Sequence, residues 1–130
     1  MPASVPETLE NVYARWARGD WSPAEIFRED AVFTTFDADG DEVVRHGTGA
    51  MADWLRVFLE QWKDYRKEMH EIVQSGDRYL VVCRQYASGR SSGIPLDMPV
   101  YDVWTFEGGR AVELYVTRHI DAAREKLNAR

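Results

Sequence analysis

Apolar positions recur at steps of three and four near the start of the chain, where Val5, Leu9, Val12, Tyr13 and Trp16 follow Ser4, and this period predicts an amphipathic helix. Ser4 and Glu7 have the spacing of a capping box with Pro6 in the first turn. Arg18-Gly19 marks the end, because glycine enters the left-handed cap conformation without a steric penalty. Ser22-Pro23-Ala24-Glu25 repeats the start signal for a short second helix with only Ile26 and Phe27 to bury. From Ala31 to Phe36 the residues are β-branched and aromatic, Asp37 to Asp41 form a polar turn and Val43-Val44 continue beyond it, the pattern of a hairpin. Gly47-Thr48-Gly49 opens the clearest helix, with Met51, Trp54, Leu55, Phe58, Leu59 and Trp62 on one wide apolar face.

From Tyr65 onward the period falls from about 3.6 to 2, with turns at Ser75-Gly76-Asp77, Gly89 to Gly93 and Gly108-Gly109. Four strands, near 65–74, 78–88, 96–106 and 111–119, are predicted to form an antiparallel meander. Asp121 is placed to cap a last helix running to about residue 128. The order helix, short helix, two strands, helix, four strands, helix describes one α+β domain over 1–130. The Gly89–Gly93 stretch is by composition the most flexible, and it is expected to rim an opening or a dimer edge.

Both faces of this sheet read as apolar. Leu80, Val82, Arg84 and Tyr86 alternate with Tyr79, Val81, Cys83 and Gln85, and Leu114, Val116 and Arg118 alternate with Tyr115, Thr117 and His119. The helices cover one face, and with no segment left over, the other is expected to be covered by a second copy of the chain: a homodimer through the outer sheet face. Arg84 and Arg118 are assigned to the concave face.

Composition narrows the function. The chain has 130 residues, 45% of them hydrophobic, enough for a sizeable core. Sixteen basic against 22 acidic residues give a net charge of −6, which argues against a nucleic-acid partner. The single Cys83 points to a reducing compartment, and with neither a signal-like N-terminus nor a long apolar run the expectation is cytoplasmic, with no membrane partner. Asp37, Asp39 and Asp41 imitate the start of a calcium loop, but Glu42 stands where the sharp turn needs glycine. His46, His70 and His119 lie far apart, so no metal is expected, and no phosphate loop or dinucleotide fingerprint points to a cofactor.

The segments Gly19-Asp20-Trp21, RHGTGAMADWL from Arg45, SGDRYLVVCRQYASGRSSG from Ser75 and PVYDVWTFEGGRAVELYVTRHIDAA from Pro99 together resemble the NTF2-like superfamily, especially its SnoaL-like branch, over nearly the whole chain. The resemblance implies a cone: three N-terminal helices packed on a strongly curved, mainly antiparallel sheet, a short C-terminal helix, and a dead-end apolar pocket. Members include ketosteroid isomerases, polyketide cyclases, limonene epoxide hydrolases, scytalone dehydratases and catalytically silent proteins.

Asp102 is the foremost candidate, since a carboxyl within Val100-Tyr-Asp-Val-Trp104 is costly to bury and must be neutral or paired, with Arg84 or Arg118 as partners. Resemblance to the isomerases implies that Asp102 is a protonated hydrogen-bond donor to an oxyanion. Their general base aligns with Thr35, which takes no proton at neutral pH. Resemblance to the epoxide hydrolases implies a role for Arg84 and Asp121, with Tyr86 standing where those enzymes place the middle Asp. Asp121 also matches the late Asp of the polyketide cyclases. Tyr13, Trp16, Phe33, Thr35, Trp54, Phe58, Met69, Val100, Trp104, Val116 and Arg118 are expected to line the pocket or fill it. The function that follows is a pocket for a small apolar, oxygen-bearing molecule. It takes one of two forms, a cofactor-free isomerase, cyclase or dehydratase working by proton transfer, or a non-catalytic dimeric module that binds a hydrophobic ligand or a protein partner.

Overall fold

The computed structural model describes residues 4–21, 24–37 and 39–129. The second start signal, Ser22-Pro23, lies outside them, as does Ala38 of the hairpin turn. Helix α1 spans Val5–Ala17, strand β1 Phe27–Phe36, β2 Glu42–His46, helix α2 Thr48–Glu60, β3 Trp62–Ser75, β4 Arg78–Gly89, β5 Pro95–Glu107, β6 Arg110–Thr117 and helix α3 Ile120–Asn128. The expected set of three N-terminal helices is corrected: α1 alone precedes the strands, the second is one 3-10 turn at Ala24–Ile26, and α2 follows the first hairpin. Two apolar residues before an acidic pair bury too little to hold a longer helix.

The start of α1 is capped as its sequence specifies, with Ser4 Oγ accepting from the Glu7 N–H at 3.2 Å. Gly19 ends it at φ 79°. Leu9, Val12, Tyr13 and Trp16 are buried on the concave side of the sheet. Gly47 starts α2 at φ 90°, a conformation that a side chain would strain, and its N–H bonds the Ala31 carbonyl at 2.8 Å.

The six strands run in the order β2-β1-β6-β5-β4-β3. All neighbours are antiparallel except β1 and β6, which run parallel with Phe33 opposite Leu114 and Thr34 opposite Tyr115. The β3–β6 meander and the β1–β2 hairpin match expectation, but Trp62 begins β3 instead of ending the long helix. Two irregularities in β3, between Lys63 and Arg66 and between Met69 and Glu71, bend the strand. They leave Lys67 opposite Gln85 and Met69 opposite Cys83.

The inner face of β4 is therefore Val81, Cys83 and Gln85, which lie opposite inward residues, and Leu80, Val82, Arg84 and Tyr86 point outward. The concave assignment of Arg84 is corrected, since strict alternation reverses a whole strand when its phase is misread. The outer face also finds cover within the chain: α3 lays Ala123 and Leu127 on Leu80 and Val103, with Tyr101, Tyr115 and Ile120 around them. The premise that no segment remains to cover this face is thus overturned for part of it. Asp121 does not cap α3 but lies exposed in its first turn behind His119. The Gly89–Gly93 turn is tied to the end of α2, where the Arg90 N–H bonds the Gln61 carbonyl at 3.1 Å.

Candidate functional site

Between α1, α2 and the concave face lies a cavity of about 580 Å³. Its wall is built from helix α2 on one side, with Met51, Trp54, Leu55 and Phe58, and from inward strand positions on the other, with Phe33, Thr35, Val100, Leu114 and Val116. Trp16 and Trp21 close one end. Rings of the wall stack in pairs, Trp54 on Phe58 at 5.0 Å and Trp16 on Trp21 at 5.5 Å, and the buried Trp104 backs Trp16 at 5.9 Å. A planar ligand meets such a surface face to face or edge to face.

Lys67, Tyr65 and Gln85 supply the polar groups of the floor. Tyr65 Oη donates to Gln85 Oε1 at 2.6 Å, and burial pushes the Tyr65 hydroxyl up to about 12. Lys67 reaches across β4 to Asp102 on β5, placing Nζ 2.8 Å from Oδ1 and 2.7 Å from Oδ2. Asp102 is 0% exposed and the Lys67 side chain 8%, so this is a buried ion pair with only its cationic end against the cavity. Behind it, Tyr13 Oη donates to Asp102 Oδ2 and receives the Trp104 Nε1–H at 2.9 Å. Cys83 Sγ lies 3.7 Å from the same oxygen.

The electrostatics follow from the pairing. Burial alone would lower the Lys67 ammonium, but the negative charge of Asp102, helped by Tyr65 and Cys83, outweighs it and holds the group above the ordinary lysine value. Burial raises Tyr13 and Cys83 well above theirs, and the Asp102 charge adds to both shifts. Trp16 carries a buried indole N–H with no partner among the described residues.

Of the residues read from the sequence, Trp16, Phe33, Thr35, Trp54, Phe58, Val100, Val116 and Arg118 line the cavity. Tyr13 stands behind the floor as a partner of Asp102, Trp104 donates to Tyr13 in turn, and Met69 packs against the same core. Asp102 faces inward as expected, but its cation is Lys67; neither Arg84 nor Arg118 pairs with it. Arg84 instead bonds Asp97 at 2.5 Å on the outer face, where Tyr86 also lies, and neither these two nor Asp121 reaches the cavity. Thr35, where the resemblance places a base, receives Arg45 Nη1 at 3.4 Å. Sequence reasoning missed Lys67, because it stands in Tyr65-Arg-Lys-Glu-Met69, where flanking charges disguise an inward position. Its alternation with Tyr65 and Met69 was the available signal. Among the described residues no three His, Cys, Asp or Glu come together as a metal site, and no helix is long and apolar enough to cross a membrane.

The sequence family of SnoaL-like domains matches residues 9–114. No curated protein matches the chain. Among solved structures, an NTF2-like protein of unknown function from Burkholderia pseudomallei is similar, with TM-score 0.76 at 21% identity over 96% of this chain and 97% of that one. A candidate SnoaL-like polyketide cyclase from Jannaschia sp. aligns with TM-score 0.73 at 15% identity over 100% and 99% of the two chains. TerC, co-crystallized with polyporic acid, aligns with TM-score 0.74 at 16% identity over 95% and 98%.

Proposed function

The chain belongs to the family of SnoaL-like domains, and from that premise we propose that it holds a small, largely apolar, oxygen-bearing molecule in the cone, with the ligand's oxygen accepting from the Lys67 ammonium. The observation that carries this is a cation at the floor of an aromatic cavity of about 580 Å³. An ammonium has three donors, the two oxygens of Asp102 engage at most two, and one remains for a ligand. The likeness of fold to TerC, which was co-crystallized with polyporic acid, points the same way.

Binding is favoured over proton transfer. Asp102, the carboxyl best placed by sequence to act as acid or base, is sealed behind Lys67, and Thr35, where the resemblance places a base, takes up no proton at neutral pH. A naphthyl methyl ketone followed by tryptophan fluorescence tests the reading: saturable quenching that weakens in a paired Lys67→Met, Asp102→Asn variant supports it. The paired change removes the ammonium without stranding a buried carboxylate. No saturable quenching by the parent protein overturns it. Conversion of an enolisable ketone to an isomer would restore the enzymatic form.

The same proposal keeps a homodimer through the part of the outer face that α3 leaves open, where Val82 and Tyr86 are only half-buried. It also keeps a reducing, cytoplasmic setting, which suits the lone and buried Cys83.

A further inference from the structure

Half of the Gln85 amide has no partner within the chain. Gln85 stands in the inward set of β4 with Val81 and Cys83, directly opposite Lys67 on β3 and Met98 on β5. It is 7% exposed and lines the cavity. Its Oε1 accepts from Tyr65 Oη at 2.6 Å, the length of an O–H···O bond and below the usual N–H···O range, so the hydroxyl donates and the amide oxygen is the atom turned to Tyr65. Burial pushes the Tyr65 hydroxyl up to about 12, so it keeps that proton at any physiological pH. The Tyr65 ring is clamped as well, with Phe58 edge-on at 5.0 Å and Trp21 at 5.2 Å. At the other end of the amide, Nε2 meets no acceptor among the described residues. Nor is it sealed off as the orphan donors Trp16 Nε1 and Thr105 Oγ1 are, so its N–H groups open onto the cavity.

Lys67 and Gln85 start side by side, but their head groups part. Lys67 turns to Asp102, which stands opposite Val81 and comes within 3.7 Å of Cys83 Sγ, towards the start of β4. Gln85 turns to Tyr65, which falls between Lys63, opposite Ser88, and Arg66, opposite Tyr86, towards the end of β4. The floor thus offers two donors set apart along one strand, an ammonium and an amide. The Tyr65 hydroxyl, its proton spent on Gln85, adds no third.

Resting on the reading of the cone as a ligand pocket that engages Lys67, we infer that Gln85 is a second anchor and that the ligand is a flat aromatic molecule with two acceptor oxygens, one on the Lys67 ammonium and one on the Gln85 amide. Carbonyl oxygens fit both places, because they accept without bringing a proton that needs an acceptor of its own. Tyr65 acts through Gln85 as a positioning residue: by holding Oε1, it turns the donor end of the amide to the ligand. With that amide already held, little side-chain freedom is lost when the second oxygen binds.

Tryptophan quenching by two probes tests this: 1,4-diacetylbenzene, and 4-isopropylacetophenone, in which an apolar group of like shape replaces one acetyl. Gln85→Met is expected to weaken the diketone about fivefold or more and the monoketone less than about twofold. Gln85→Glu keeps the bond from Tyr65 but puts an acceptor where the donors stood. It is expected to act in the same way, and it is read instead if the urea midpoint shows Gln85→Met to be poorly folded. Tyr65→Phe keeps the ring and is expected to weaken the diketone alone, by about twofold to fivefold, whereas loss of a mere wall contact moves both probes together. Equal effects on the two probes in the Gln85 variants, no effect on either, or a parent protein that binds only the monoketone overturns the second anchor and leaves the pocket at Lys67 standing. A diketone affinity unchanged in Tyr65→Phe overturns the positioning role. Binding of neither probe by the parent protein overturns the pocket and this inference with it.

Discussion

The floor of the cavity and the helix above it are built on opposite terms. At the floor, Asp102 is fully buried between Lys67 and Tyr13, and Tyr13 is held in turn by Trp104. Across the cavity, α2 turns Met51, Trp54, Leu55 and Phe58 toward the sheet, yet of these only Met51 is buried. A helix with so apolar a face would ordinarily bury it by packing, and here the space beneath is open instead. The floor is closed by groups that must be satisfied before the chain is stable at all. The helix above is stabilised less by its own contacts, and under the proposed function a ligand would complete its packing. Rigidity and vacancy are thus separated onto two sides of one site.

The largest effect expected from this contrast is at the floor. Asp102→Asn removes one charge of a buried pair and should cost roughly 3–5 kcal/mol in urea unfolding. Adding Lys67→Met should recover a large part of that loss, because the stranded ammonium goes with it. Additive losses in the two variants would show that the pair is not coupled and would break the contrast at its base.

Next comes alkaline stability. The folded values of Lys67 and Tyr65 are both raised, Tyr65 to about 12, so the folded state keeps protons that the unfolded chain releases near ~10–10.4. Their contribution is full below that range and is lost as pH climbs from it through the folded values; with the buried Cys83 thiol adding a like loss from ~8.5, the unfolding free energy should begin to fall above pH ~8.5 and fall more steeply above ~10. The Lys67→Met, Asp102→Asn pair should flatten that fall. A profile equally steep in the variant would place its origin elsewhere.

Across the cavity the expected cost is smaller. Phe58→Ala should destabilise the empty protein by about 1–2 kcal/mol, less than the ~3–5 kcal/mol typical of a fully buried Phe, while weakening the naphthyl ketone markedly. A loss of core size would mean that α2 is packed as firmly as the floor. The smallest effect belongs to the outer face, where Arg84→Ala removes only the half-exposed pair with Asp97 and should change stability by less than about 1 kcal/mol. Probe affinity should not move, and a change would return Arg84 to the site.

How much of this was legible in the sequence differed by element. The periods that marked α1, α2 and the meander were strong because each has one continuous apolar face. The inward position of Asp102 was legible for the same reason, since Val100 and Trp104 flank it at steps of two. The identity of its partner was not. Lys67 lies on a bent strand among charged neighbours, and nothing local says which strand crosses β4 to meet Asp102. Arg84 was placed on the wrong face because β4 is apolar on both sides, so alternation alone does not say which set faces inward. The cover supplied by α3 was hidden in a short helix that is mostly polar, with only Ala123 and Leu127 buried.

The parallel seam between β1 and β6 carries a consequence for how the chain is made. The meander from β3 to β6 is assembled from hairpins between neighbours in the chain and can form as it leaves the ribosome. The β1–β2 hairpin and α2 are synthesised earlier, but β1 joins the sheet only through β6, whose residues Glu113, Leu114 and Tyr115 follow all the other strands. During synthesis the ring-bearing side of α2 and one edge of β1 must therefore wait unpaired, the state in which strands associate with the wrong neighbour. A chain stalled before Arg110 keeps that edge of β1 open, and release of β6 is the event that joins the hairpin to the meander.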